Sequence, residues 1–332
     1  MILDDKKIKE IEKFKRKFTR KNVSADYEKL AGLYPRGFLS IVASPAGSGK
    51  TWLMQYVACG LSVGGVILGG LTVSDPRKVL ILTGETGADL LNRRLVQTSW
   101  FYDGDMISVY SAIDMGIENF PYLLDTKEGR ENIMTIISNE KPDIVFFDTL
   151  ISFHGLDESR QGEMTKIYLF LCQMAKLFNC AVVCNHHTRK RPADNPTRQQ
   201  NQDDVIGTSA GVRLAASVYV VSQTTDETGQ HEEIMTVRNV KSWDKKIKPF
   251  SYRFVTTSEG LIDFEVTLDV GTGRDRVVEN YIGTLEHGAL VKIADVAKAC
   301  DVTESVARYH LKHDNRVKEV YYLGQKFWKI VD

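Results

Sequence analysis

Ser44-Pro45-Ala46-Gly47-Ser48-Gly49-Lys50-Thr51 stands between an apolar run, Leu39 to Ala43, and a stretch of helical periodicity that opens at Trp52. Glycines at 47 and 49 let successive backbone N–H groups turn toward one point, and the helix that follows adds its positive end. A lysine and a hydroxyl then supply a cation and a metal ligand. This is the strand–loop–helix context of a Walker A loop, in which Lys50 reaches the β- and γ-phosphates of ATP and Thr51 coordinates Mg2+. The nucleotide-binding set read from the spacing is Ser44, Ala46, Gly47, Ser48, Gly49, Lys50, Thr51 and Trp52, with Ser44 where the pattern has its first glycine.

A second element fits the first. Asp143-Ile144-Val145-Phe146-Phe147-Asp148 is a hydrophobic strand ending in an acid, the form of a Walker B element whose carboxylate, Asp148, holds the Mg2+ site. Strand Lys78 to Leu82 ends in Thr83-Gly84-Glu85-Thr86, and strand Ala181 to Cys184 ends in Asn185-His186-His187. No acid or cysteine stands at ligand spacing from the two histidines, which argues against a metal there.

The elements that must position these groups alternate along the chain. Helical spacing over Trp52–Leu61, Ala88–Thr98, Arg130–Ser138 and Gly162–Phe178 separates strands at Val79–Leu82, Ile107–Tyr110, Ile144–Phe147 and Ala181–Cys184. Strands that are apolar throughout, with helices between them, predict an α/β fold with a mainly parallel sheet covered on both faces. Later strands, Ala216–Val221, Glu232–Val237 and Phe250–Phe254, come without helices and predict hairpins on the sheet edge. The expected division is an N-terminal arm, 1–27, with Ile8, Ile11, Phe14 and Phe18 on one helical stripe among lysines, an ATPase domain over 28–262, a linker near 262–276, and a C-terminal domain over 277–332.

Lys and Arg total 43 against 43 Asp and Glu, so any affinity for a polyanion has to come from local clusters. One such cluster is Arg189, Lys190, Arg191 and Arg198, in a polar, proline-containing stretch expected to be a mobile loop. No apolar run approaches bilayer length, no secretory signal opens the chain, and the five scattered cysteines form no CxxC pair. A cytoplasmic protein with reduced thiols and no membrane contact is expected.

The ordered set Leu30-Ala31-Gly32-Leu33-Tyr34-Pro35-Arg36-Gly37, the Walker A loop, Thr83-Gly84-Glu85, Asp148-Thr149-Leu150 with Phe153-His154, and Asn185-His186-His187 resembles the RepA-like branch of the RecA superfamily, akin to DnaB and KaiC. The resemblance covers about residues 28 to 255. It implies a RecA-like P-loop NTPase core and a ring of copies, a hexamer, hydrolysing ATP while it moves on DNA as a helicase or translocase. By position, it implies that Glu85 orients the attacking water, that His187 of the histidine pair senses the γ-phosphate, and that the loop with Arg189 to Arg198 touches DNA in the central channel. It also implies a cation given in trans to the γ-phosphate of a neighbour, for which Arg213, Arg238 and Lys241 are the candidates. Lys241 matches the family's strand-end lysine best, and the arginine usual just beyond Arg213 is replaced by Ala215-Ala216-Ser217.

At the C-terminus, helical patterns near 277–286 and 293–299, a third from Thr303, and a hairpin around Gly324-Gln325 predict a small winged helix. Its third helix offers Arg308 and Lys312 to DNA, and its near-balanced charge leaves a protein partner open. Two other functions share the same ATP site: an ATP-controlled winged-helix switch that binds DNA without moving along it, and a recombinase-like filament.

Overall fold

The computed structural model describes residues 28–68, 71–115, 122–188, 202–205, 209–225, 231–244, 246–268, 278, 281–282, 284–300, 304–313, 316–322 and 325–331. The N-terminal arm and the basic cluster Arg189, Lys190, Arg191 and Arg198 lie outside the described residues.

A small hairpin, β1 (Lys29–Leu30) with β2 (Tyr34–Pro35), leads into β3 (Leu39–Ser44) and α1 (Lys50–Val63). There follow β4 (Gly65–Ile67), β5 (Leu71–Val73), β6 (Val79–Thr83), α2 (Ala88–Val96), β7 (Ile107–Ser111), α3 (Ala112–Met115), α4 (Lys127–Glu140), β8 (Ile144–Asp148), α5 (Gln161–Phe178), β9 (Ala181–His187) and α6 (Ser209–Leu214). Four antiparallel strands close this part of the chain: β10 (Ser217–Thr225), β11 (His231–Ser242), β12 (Phe250–Thr256) and β13 (Ile262–Leu268).

One nine-stranded sheet carries the order β13-β12-β11-β10-β3-β9-β8-β6-β7. From β7 to β10 all neighbours are parallel. The reason is visible in the strands: β3, β6 and β8 are buried at every position, so each needs cover on both faces. Helix α1 covers one face through Leu53, Met54, Val57 and Leu61, and α4 and α5 cover the other through Ile133, Ile137, Ile167 and Leu171. The mainly parallel α/β architecture expected for a RecA-like P-loop core is therefore present.

Arg36 fixes the far end of this sheet. Its guanidinium reaches Asp143 at 2.6 Å, Glu28 at 2.6 Å and the carbonyl of Asn179 at 3.1 Å, tying the β2–β3 turn to the starts of β8 and β9. No helix among the described residues is long and apolar enough to cross a membrane.

One boundary is corrected. Residues after 262 were expected to be a linker, yet β13 pairs with β12 from Thr256↔Ile262 to Phe250↔Leu268. Ile262, Phe264, Val266 and Leu268 alternate with Asp263, Glu265 and Thr267, the period-two pattern of an edge strand with one apolar face. Phe264 is buried against Tyr252, stacked at 4.7 Å, so the sheet extends to Leu268.

At the C-terminus, β14 (Leu290–Val291), β16 (Gln325–Ile330) and β15 (Val317–Tyr322) form a separate antiparallel sheet in that order. Helices α7 (Ile293–Ala299) and α8 (Glu304–His313) pack on it through Val296, Ala297, Ala307 and Leu311 against Val317, Trp328 and Ile330. This core is distinct from the two on the large sheet.

Packing in α4 gives a direct test. A Cβ at Gly129 would overlap the backbone N and O of Leu123, which cannot swing aside as a side chain does. Gly129→Ala is expected to cost about 2–3 kcal/mol of stability and to lower the melting temperature by several degrees. Gly162→Ala in α5, where a Cβ meets nothing within 4 Å, should leave the melting temperature unchanged or raise it.

Candidate functional site

Four strand ends meet at one edge of the sheet, because β3, β9, β8 and β6 are parallel neighbours that all point the same way. They deliver the loop after Ser44, the pair His186-His187, Asp148, and Thr83-Gly84-Glu85.

The loop after β3 has the conformation its glycines allow. Gly47 and Gly49 both sit at φ 77°, in the left-handed region that side chains with a Cβ rarely enter. Gly49 is the N-cap of α1, so the first turn of that helix faces the loop. Lys50 is 6% exposed, and its ammonium donates to Ser44 Oγ at 2.9 Å, Ser44 O at 3.2 Å and Pro45 O at 3.2 Å. Ser44, in place of a glycine, thus acts as a holder for the lysine. Burial lowers the Lys50 pKa to about 8, against the pull of Asp148 and Glu85 in the other direction.

Asp148 is buried at 1% exposure. It accepts from Thr51 Oγ1 at 2.9 Å and from Asn185 Nδ2 at 2.7 Å. Burial raises its pKa, because both partners are neutral dipoles. A hydroxyl and a carboxylate side by side suit a hard divalent ion. Among the described residues no cluster of three His, Cys, Asp or Glu side chains could hold a metal ion. Mg2+ would therefore draw its remaining ligands from water and phosphate, as it commonly does.

Glu85 is exposed and accepts from Thr149 Oγ1 at 2.5 Å. His187 lies between it and the lysine, with Nδ1 3.4 Å from Lys50 Nζ and Nε2 3.8 Å from Glu85 Oε1. Burial and the Lys50 charge lower the His187 pKa, so the ring is neutral at pH 7. The resulting row, Lys50–His187–Glu85–Thr149, borders the phosphate loop. A neutral imidazole and a free carboxylate beside a terminal phosphate can bind and orient a water molecule.

The other sequence-predicted residues fall elsewhere. Lys241 donates to the carbonyls of Val212, Arg213 and Ala215 at 2.6, 2.8 and 2.7 Å. It caps the end of α6 within its own chain, since a cation satisfies the unpaired carbonyls of a helix C-terminus. Arg238 donates to Ser222 Oγ at 3.1 Å, and Arg213 is exposed on α6. Arg308 and Lys312 are exposed one turn apart on α8. Trp52 turns from the loop into an aromatic wall, 5.5 Å from Phe254 and 6.0 Å from Trp100.

Two participants escaped sequence reasoning. Asn185 was noted only as part of a motif, but it anchors Asp148. Arg94, on α2, lies over the Trp52 ring at 5.0 Å, and its Nη1 is buried with no hydrogen-bond partner among the described residues. Burial lowers its pKa while Asp148 acts in the opposite sense. A helical position nine residues past Glu85 carries no local signal; only the packing of α2 on α1 brings it to the site.

Residues 23–193 match a family model described as an AAA domain. The chain belongs to that family. No curated protein matches it. The matched span contains the phosphate loop, Glu85, Asp148 and His187, and membership of the AAA domain family makes the chain a P-loop ATPase that binds nucleotide, with Mg2+ as the usual companion ion.

The buried lysine predicts a proton linkage. Phosphate favours the charged form of Lys50, so binding raises its pKa from about 8. At pH 8 nucleotide binding should take up about half a proton, measurable by titration calorimetry in buffers of different ionisation enthalpy. Affinity should fall as pH rises above 8, and a binding constant that stays flat to pH 9.5 would contradict the burial of the ammonium.

Proposed function

We propose that this P-loop ATPase is a DNA motor of RepA type, working as a ring, a hexamer, that translocates on or unwinds DNA. One observation carries the reading: His187 touches both Lys50 and Glu85, and the chain leaves that strand directly into Arg189, Lys190, Arg191 and Arg198. A group beside the terminal phosphate is thereby one residue removed from a segment whose charges suit a nucleic-acid backbone.

In this reading Glu85 holds the attacking water, with Thr149 fixing one carboxylate oxygen. Lys50 and Mg2+ on Thr51 and Asp148 neutralise the phosphates, and loss of the γ-phosphate changes what His187 faces. The trans cation comes from Arg213 or Arg238; Lys241 is occupied by carbonyls of its own chain, which weighs against it. The C-terminal helix pair and three-stranded sheet are read as a winged helix, with Arg308 and Lys312 offered to DNA on one face of α8. The arm at 1–27 is read as a docking element for the neighbouring copy.

Single-stranded DNA is expected to stimulate ATP hydrolysis and to support displacement of a paired strand. Glu85→Gln should reduce turnover by about 10²-fold or more while ATP binding, followed by calorimetry, stays within a factor of about two. Hydrolysis that ignores DNA would favour the ATP-controlled switch, and normal turnover in Glu85→Gln would remove that residue from its role.

A further inference from the structure

Behind the sensor strand lies a second group of titratable side chains that the ATP site does not use. His186 is 3% exposed and points to the opposite face of β9 from His187 and Asn185, as alternation along a strand requires. Its Nε2 lies 3.1 Å from Glu158 Oε1, and its Nδ1 lies 3.2 Å from the carbonyl oxygen of His187. His154, at the end of the turn after β8, is 4.0 Å from the same carboxylate oxygen, with its side chain fully buried.

The protonation state follows from these partners. A carbonyl oxygen only accepts, so Nδ1 must carry a hydrogen. An ionised carboxylate also only accepts, so Nε2 must carry one too. We propose that His186 is an imidazolium paired with Glu158 in the interior, and that this pair is the positioning device for His187: Glu158 holds His186, and His186 holds the backbone carbonyl of the residue that meets Lys50 and Glu85.

The remaining charged and titratable groups around the pair support the assignment. His154 faces it from the turn after β8, and burial pushes its pKa down, so it remains neutral and adds no second positive charge. Asp125, in the loop before α4, lies near His154 and accepts from the N–H of Gly155 at 3.3 Å. Tyr168 reaches toward Glu158 from α5, and burial holds its phenol protonated. His187, neutral, is on the strand itself. Burial alone would raise the Glu158 pKa; its contact with His186 leads the effects that bring it below the usual carboxylate value. An ion pair in a dry site is costly to break from one side, because the remaining charge is left uncompensated.

The inference rests on His187 being the γ-phosphate sensor, and its test separates the two. In Glu158→Gln the imidazolium loses its counter-charge, so its proton should leave at lower pH. The expected result is a kcat about ten- to hundredfold lower with KM for ATP unchanged, and an alkaline limb of the kcat–pH profile moved about one unit or more toward acid. Glu158→Asp should restore part of both. In the unmodified full-length protein, 15N shifts of His186 at pH 7.5 should show both ring nitrogens protonated, a reading that needs no variant to fold. A neutral His186 tautomer, or a Glu158→Gln enzyme with the parental kcat and pH profile, would overturn the proposal. If His187→Ala also leaves hydrolysis intact, the sensor assignment itself fails; if His187→Ala abolishes hydrolysis while Glu158→Gln does not, only the positioning role of Glu158 does.

Discussion

Two buried charges, neither paired with the other, dominate this molecule. The Lys50 ammonium is surrounded by two carbonyls and a hydroxyl, and the Asp148 carboxylate by a hydroxyl and an amide. Taking ions from water costs several kcal/mol each unless an opposite charge compensates, and dipoles return only part of that. The folded chain therefore holds a cation and an anion in partly solvated niches, and the opposing shifts of their pKa values record the deficit. A triphosphate with a divalent ion supplies what both lack, phosphate oxygens for Lys50 and Mg2+ for Asp148. Nucleotide binding then draws on a cost already carried by the fold.

The parallel sheet makes that arrangement possible. Groups delivered at the carboxyl ends of β3, β9, β8 and β6 sit within a few side-chain lengths of one another although they come from positions 44 to 187 of the chain. Crevices at strand carboxyl ends are the common binding places of open α/β sheets. The antiparallel strands β11 to β13 add a wall: Tyr252 and Phe254 reach back so that a Cβ on Gly49 would lie 3.3 Å from the Tyr252 hydroxyl. That contact, with the left-handed backbone at Gly49, leaves glycine as the residue that fits.

Much of this was legible beforehand because it is written in local chemistry. Fully apolar strands, glycines at fixed offsets before Lys50, and an acid closing Ile144–Phe147 each state their structure within a few residues. What was not legible depends on contacts across the chain. Strand β13 carries its alternation next to a Thr- and Gly-containing tail, and composition masked the period. Lys241 reads as an available strand-end cation until α6 is seen ending against it, and Arg94 reads as a surface arginine until α2 packs on α1. Asn185 has the same limitation, since its partner Asp148 is on the neighbouring strand.

The pleat of β9 joins the two faces of the sheet. Asn185 and His187 look toward the nucleotide side, where they meet Asp148 on one hand and Lys50 and Glu85 on the other, while His186 looks toward α5 and meets Glu158. The strand end is further clamped to the phosphate loop, since the N–H of Thr188 donates to Ser44 O at 3.0 Å, the same oxygen that accepts from Lys50. When phosphate draws Lys50 away from Ser44, the oxygen that also holds Thr188 loses one of its two donors. The event at the phosphate is thus felt at the residue that immediately precedes Arg189, without any rearrangement of the sheet, because a densely packed strand registers the change as a shift in its hydrogen bonds.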